Sequence, residues 1–118
     1  MARVLLIEDD RDFSDNLEFM IGRGGHEVVC ARNGKAALDH LHDSKFDIIL
    51  LDLMMPDMDG WSFRLEVMRD PELAAIPIVI VSGVANLESE WKKLHVVDYI
   101  AKPVDLDRLY RIIDSHVV

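Results

Sequence analysis

Four places in the chain carry residues able to handle a charged group. Glu8-Asp9-Asp10 follows an apolar run at 4–7, Asp52 follows one at 48–51, Ser82-Gly83 follows one at 76–81, and Lys102-Pro103 follows one at 96–100. Clustered carboxylates repel one another and stay ionised together only beside a cation. An all-oxygen set without His or Cys suits Mg²⁺ or Mn²⁺ rather than zinc. A lysine next to such a site suits a phosphoryl group, whose charge the lysine and the metal would both neutralise. A central carboxylate can itself be the nucleophile and become an aspartyl phosphate. Asp52 is the best candidate, because it closes an apolar run where a merely structural acid would be costly to place. Taken singly, each residue has a plainer reading: Asp10 as a helix N-cap, the serine and the lysine as ordinary surface.

The elements that must position these residues are legible in the hydrophobic pattern. Short, partly β-branched runs at 4–7, 28–31, 48–51, 76–81 and 96–100 read as buried parallel strands. Between them the apolar residues take helical spacing: Phe13, Leu17, Met20 and Ile21; Ala37, Leu38 and Leu41; Phe63, Val67 and Met68; Leu87, Trp91 and Leu94; Leu106, Leu109 and Ile113, with Asp105 placed to cap the last. Gly24-Gly25 ends the first helix, and Asn33-Gly34 makes a turn before the second. Five strand–helix repeats predict an α/β doubly wound, five-stranded parallel sheet with five helices, of flavodoxin-like order 2-1-3-4-5. In such sheets ligands sit outside the carboxyl ends of the strands. The fold itself therefore brings the four polar segments to one rim.

Length and charge narrow the function. The 118 residues make one domain, with nothing left over for a second. The formal net charge of −9 argues against wrapping nucleic acid or lying on an anionic membrane. A single cysteine, Cys30, excludes an internal disulfide and any multi-thiolate metal site, and a reducing, cytoplasmic compartment fits best. No apolar run is long enough to span a membrane, and the opening segment runs too soon into acid to be a signal peptide. Met54, Met55 and Met58 read as loop and core filler, Trp61 and Trp91 as half-buried anchors, and Cys30 as a buried small apolar residue. His40 and His42, two apart, do not face each other on a helix. His26, His95 and His116 carry no partner pattern.

The set Ile7-Glu8-Asp9-Asp10, Asp52-Leu53-Met54-Met55-Pro56-Asp57-Met58-Asp59-Gly60, Pro77 through Val81-Ser82-Gly83, and Asp98-Tyr99-Ile100-Ala101-Lys102-Pro103 resembles the receiver domain of bacterial two-component response regulators, over essentially all of residues 1–118. The resemblance implies roles. Asp52 corresponds to the phosphoacceptor and would also be a Mg²⁺ ligand. Asp9 would ligate Mg²⁺ directly and Glu8 through water, and the backbone carbonyl of Met54 would complete the protein's ligands. Ser82 would bond a phosphoryl oxygen, and Lys102, before a cis peptide bond to Pro103, would pair with the phosphate. Tyr99 would be the aromatic switch residue. The donor would be a phosphohistidine on a sensor histidine kinase or histidine phosphotransfer protein. The response would alter the surface built by the fourth and fifth strands and their helices. The sequence departs from the family at Ser82-Gly83, at Val96-Val97 before the last strand, and in a shorter 82–102 segment.

Other readings are weaker on specific residues. A haloacid-dehalogenase-like phosphohydrolase would place Asp-x-Asp after the first strand, and here Met54 stands two residues past the candidate nucleophile. A flavin carrier would need a phosphate loop where Glu8-Asp9-Asp10 would repel phosphate. A phosphorylation-independent binding module would have no use for the full set of acids, hydroxyl and lysine.

Overall fold

In a computed structural model of the chain, residues 1–53, 60–83 and 96–116 are described. In chain order they form β1 (Arg3–Ile7), α1 (Arg11–Arg23), β2 (Glu27–Ala31), α2 (Gly34–Asp43), β3 (Ile48–Leu51), α3 (Gly60–Met68), the short α4 (Pro71–Ala74), β4 (Ile78–Ser82), β5 (Asp98–Ala101) and α5 (Leu106–Ser115). All adjacent strands run parallel, in the order β2-β1-β3-β4-β5. The expected doubly wound sheet is therefore present. The expected helix bearing Leu87, Trp91 and Leu94 lies outside the described residues.

β1, β3 and β4 are apolar on both faces because both faces are covered. Leu5, Ile7, Ile49, Leu51 and Ile80 pack with α2 and α3 through Ala37, Leu41, Phe63 and Val67. Val4, Leu6, Ile48, Leu50, Val79 and Val81 pack on the opposite face with Leu17 and Ile21 of α1 and Leu109, Ile112 and Ile113 of α5. The two-residue alternation of each strand sorts its side chains between these cores. At roughly 25 cal/mol per Å² of apolar surface, this two-sided burial is the main force holding the sheet.

Caps set the helix starts. Asp10 accepts the Phe13 N–H at 3.2 Å, Asn33 the Ala36 N–H at 2.8 Å, and Asp105 the N–H groups of Asp107 and Arg108. Asn33 is thus the N-cap of α2 and Gly34 its first residue, rather than a separate turn. Gly24 caps the end of α1, and Gly25 takes φ +90°, where a side chain would be strained.

Several boundaries differ from the sequence reading. β4 begins at Ile78, because Pro77 has no N–H for a ladder; its carbonyl still accepts from Ile49. β4 extends to Ser82. β5 begins at Asp98, leaving Val97 exposed ahead of it. α4 was not foreseen: Asp70 accepts the Glu72 N–H ahead of a Pro71 start, a capping signal in a stretch too short to show periodicity. Met68 is 52% exposed and does not share the buried face of Phe63 and Val67. Cys30 is half-buried, packed beside the α1–α5 core.

Candidate functional site

The site grows out of the sheet's own hydrogen bonding. The parallel ladders run one step beyond the strands: Glu8 N–H donates to Ala31 O at 2.9 Å, Asp52 N–H to Ile7 O at 3.1 Å, and Lys102 N–H to Ser82 O at 3.1 Å. Each site residue is thereby pinned to the neighbouring strand. Alternation adds direction. Glu8 follows Leu6, Asp52 follows Leu50 and Lys102 follows Ile100, all residues of the α1–α5 face. Ser82 follows Ile80, and Tyr99 packs on the opposite core.

Three strands thus deliver acids and a lysine to one point. Carboxylate oxygens of Glu8, Asp9 and Asp52 lie within 4.8 Å of one another. Glu8 and Asp52 are buried, at 2% and 7% exposure, while Asp9 is exposed. The Lys102 Nζ meets Glu8 Oε1 at 2.5 Å and Asp52 Oδ2 at 3.5 Å. It also lies 4.2 Å from the centre of the Phe13 ring, whose π face attracts a cation. Sequence reasoning missed this role of Phe13. Its place on the apolar stripe of α1 marked it only as core, and nothing local shows that the stripe's first residue reaches the rim.

Among the described residues, Lys102 meets two acids, Glu8 and Asp52, of a cluster of three with Asp9. Burial pushes the Glu8 carboxyl up to about 7; the hydrogen bond from Lys102 pulls it down and neighbouring Asp52 pushes it further up. For Lys102, burial works downward, but the Glu8 hydrogen bond and the Asp52 charge outweigh it and leave the amine above its ordinary value. The excess negative charge and the hard oxygen donors fit a divalent cation of the Mg²⁺ type. Asp10 caps α1 and donates its N–H to Glu8 Oε2 at 3.3 Å, so it supports the cluster from behind. Ser82 is fully buried on the same rim, and the Lys102–Pro103 bond is cis, as expected. Met54 lies outside the described residues, together with Met55, Met58, Trp91 and His95.

A doubly wound sheet with acids and a lysine at its carboxyl rim defines a phosphoryl-handling α/β protein, and comparison with known proteins agrees. The family model for the response regulator receiver domain matches residues 4–114, and the chain belongs to that family. Protein PilH of Pseudomonas aeruginosa is 32% identical over 117 residues, covering 98% of this chain and 97% of PilH. Regulatory protein AtoC of Escherichia coli is 34% identical over 113 residues, covering 94% of this chain but only 24% of AtoC. The receiver domain of a Pseudomonas aeruginosa sensor histidine kinase, solved with a magnesium ion coordinated in its active-site cleft, matches with a TM-score of 0.89 at 26% identity, covering 98% of this chain and 96% of that one. The chain is thus a two-component receiver domain, a signalling switch of the class phosphorylated by histidine kinases rather than an enzyme turning over a metabolite.

Proposed function

We propose that the 118 residues act as one receiver unit in which Asp52 accepts a phosphoryl group from a phosphohistidine. The donor would be a sensor histidine kinase or a histidine phosphotransfer protein in the cytoplasm. The observation that carries this reading is the convergence of Glu8, Asp9 and Asp52 within 4.8 Å, with Lys102 3.5 Å from Asp52.

An Asp52 oxygen attacks phosphorus in line, the bond from phosphorus to the imidazole nitrogen breaks, and the imidazole leaves with the electron pair. The product is an acyl phosphate on Asp52, which later falls to water. The chain thus promotes its own phosphorylation and slow dephosphorylation. Asp9 and Asp52 directly, Glu8 through water and the Met54 carbonyl would hold Mg²⁺, with Mn²⁺ as a substitute. When bound, the metal offsets the charge of the carboxylates and of the incoming phosphoryl oxygens. Lys102, already aimed at Asp52, pairs with one of those oxygens. The Ser82 hydroxyl donates to another. Its shift draws the Tyr99 ring inward and alters the surface of the fourth and fifth strands and their helices, where an output partner or domain would read it.

Incubation with Mg²⁺ and acetyl phosphate tests the reading by intact mass. The expected result is a gain of one phosphate, lost in Asp52→Ala and on chelation of the metal. A gain that survives Asp52→Ala would move the phosphoacceptor elsewhere. No gain in the wild type would favour a phosphorylation-independent binding module.

A further inference from the structure

Among the described residues β5 is the last strand of the sheet, and one of its sides has no neighbouring strand there. In a parallel ladder the N–H and C=O of one residue point to the same side. Tyr99, in register with Ile80, has both groups engaged by side chains. Its N–H donates to Asp98 Oδ1 at 2.8 Å, and its carbonyl accepts from Arg108 Nη2 at 2.7 Å. The same Arg108 nitrogen donates to Asp98 Oδ1 at 2.9 Å, which closes the arrangement. An ion pair thus supplies the acceptor and the donor that a further strand would have offered. The Arg108 guanidinium also lies 5.6 Å from the centre of the Tyr99 ring.

Arg108 sits in the first turn of α5, and its own N–H is held by the Asp105 cap. α5 packs on one face of the sheet, whereas the Tyr99 ring packs on the other. Arg108 therefore reaches around the open edge and joins the two faces. Its hydrogen bonds and ring contact run to Asp98, Tyr99 and the Asp105 cap.

We infer that Arg108 is a positioning residue for Tyr99. With Asp98 it ties the backbone of Tyr99, and one side of its ring, to α5. The inference deepens the proposed switch and rests on it for the role of Tyr99. The anchoring itself belongs to the unphosphorylated protein.

The chain has two tyrosines, so 3-fluorotyrosine labelling gives two ¹⁹F lines. Tyr110, whose hydroxyl donates to Met20 O on α1, is the internal control. Arg108→Ala should shift or broaden the Tyr99 line before phosphorylation and raise Tyr99 amide exchange about tenfold, because Asp98, the acceptor of that N–H, loses the charge-assisted hydrogen bond that holds it in place. The Tyr110 line should stay, and phosphate uptake from acetyl phosphate should remain within about twofold, since the anchor lies off the reacting groups. Arg108→Lys, which can donate to both oxygens, should recover most of the effect. An unchanged Tyr99 line and amide in Arg108→Ala, or equal disturbance of both tyrosines, would overturn the inference. If wild type takes up no phosphate, the reading of Asp52 fails, and the Tyr99 line and amide of the unphosphorylated variants still decide the role of Arg108.

Discussion

The two ends of the sheet carry the same kinds of charged residue in opposite settings. At the amino end, the Arg3 guanidinium pairs with Glu27 at 3.5 Å, donates from Nη1 to Lys45 O and lies over the Phe46 ring, and the Arg3 backbone N–H donates to Asp47 Oδ2 at 2.7 Å. His26 accepts the Ala2 N–H on Nδ1, so its Nε2 is the nitrogen that donates to Asp114 at 3.2 Å. Arg3, Glu27, Asp47 and Asp114 there each have a partner, and Glu27 and Asp114 are 55% and 67% exposed. At the carboxyl end, Glu8 and Asp52 are buried, Lys102 meets both, and Asp9 stands in the same cluster of acids. The amino end uses charge to tie β1, β2 and α5 together. Among the described residues, the carboxyl end gathers more acids than bases, a set of hard oxygen donors that suits a divalent cation.

Substitutions at the two ends should therefore act with different size and sign. The largest effect is expected from Lys102→Met. Removing the cation from the two buried acids should lower metal-free stability by about 2–3 kcal/mol. Mg²⁺ should restore much of it, as denaturant titrations with and without the metal would register. Equal loss with Mg²⁺ present would remove the distinction between the two ends.

Glu8→Gln should have the opposite sign. In the metal-free protein the folded Glu8 keeps its proton up to about 7, while the unfolded chain releases it near 4.5. Between those values the folded state holds more protons, so its stability falls as pH rises. The contribution is fully present below 4.5 and gone once pH passes about 7. Glu8→Gln should then be the more stable protein at pH 8, by about 1–2 kcal/mol, with no advantage at pH 4.5. Melting curves across that range check it; a gap independent of pH would show that Glu8 is not the group responsible.

Arg3→Ala breaks several contacts at the amino end and should cost about 1 kcal/mol, unaffected by Mg²⁺. Glu27→Ala removes one exposed partner and should change stability by less than about 0.5 kcal/mol. Neither should alter phosphate uptake from acetyl phosphate. A loss of uptake in Arg3→Ala would mean that the two ends are coupled through β1.

Legibility followed the range of the interactions. Asp10, Asn33 and Asp105 announce helix starts because a cap acts over three residues. The segments after the apolar runs at 4–7 and 48–51 could be read as site because strand ends in this fold share one rim. The bounds of β4 and β5 were harder, since Ile76, Val96 and Val97 are apolar without being in a strand. Pairing with a neighbour, and not composition, ends a strand. His26 showed no partner in the sequence because Ala2 and Asp114 are distant along the chain. Tyr110 is similar: its ring lies against Gly24, where an added Cβ would come within 3.0 Å of Cε1.

By itself the sequence determined the α/β alternation, the doubly wound order and the family, and it singled out Asp52, Glu8, Asp9, Ser82 and Lys102 as candidates for the site. These follow from residue types and short spacings, which local conformation and the handedness of crossovers convert into a fold. The tertiary structure decided which charges meet and how dry they are. It set Lys102 between Glu8, Asp52 and the Phe13 ring, lifted the Glu8 carboxyl by burial, and wrapped Arg108 around the edge strand to Tyr99. Electrostatic energy depends on distance and surrounding polarity, and neither is a property of residues read one after another along a chain.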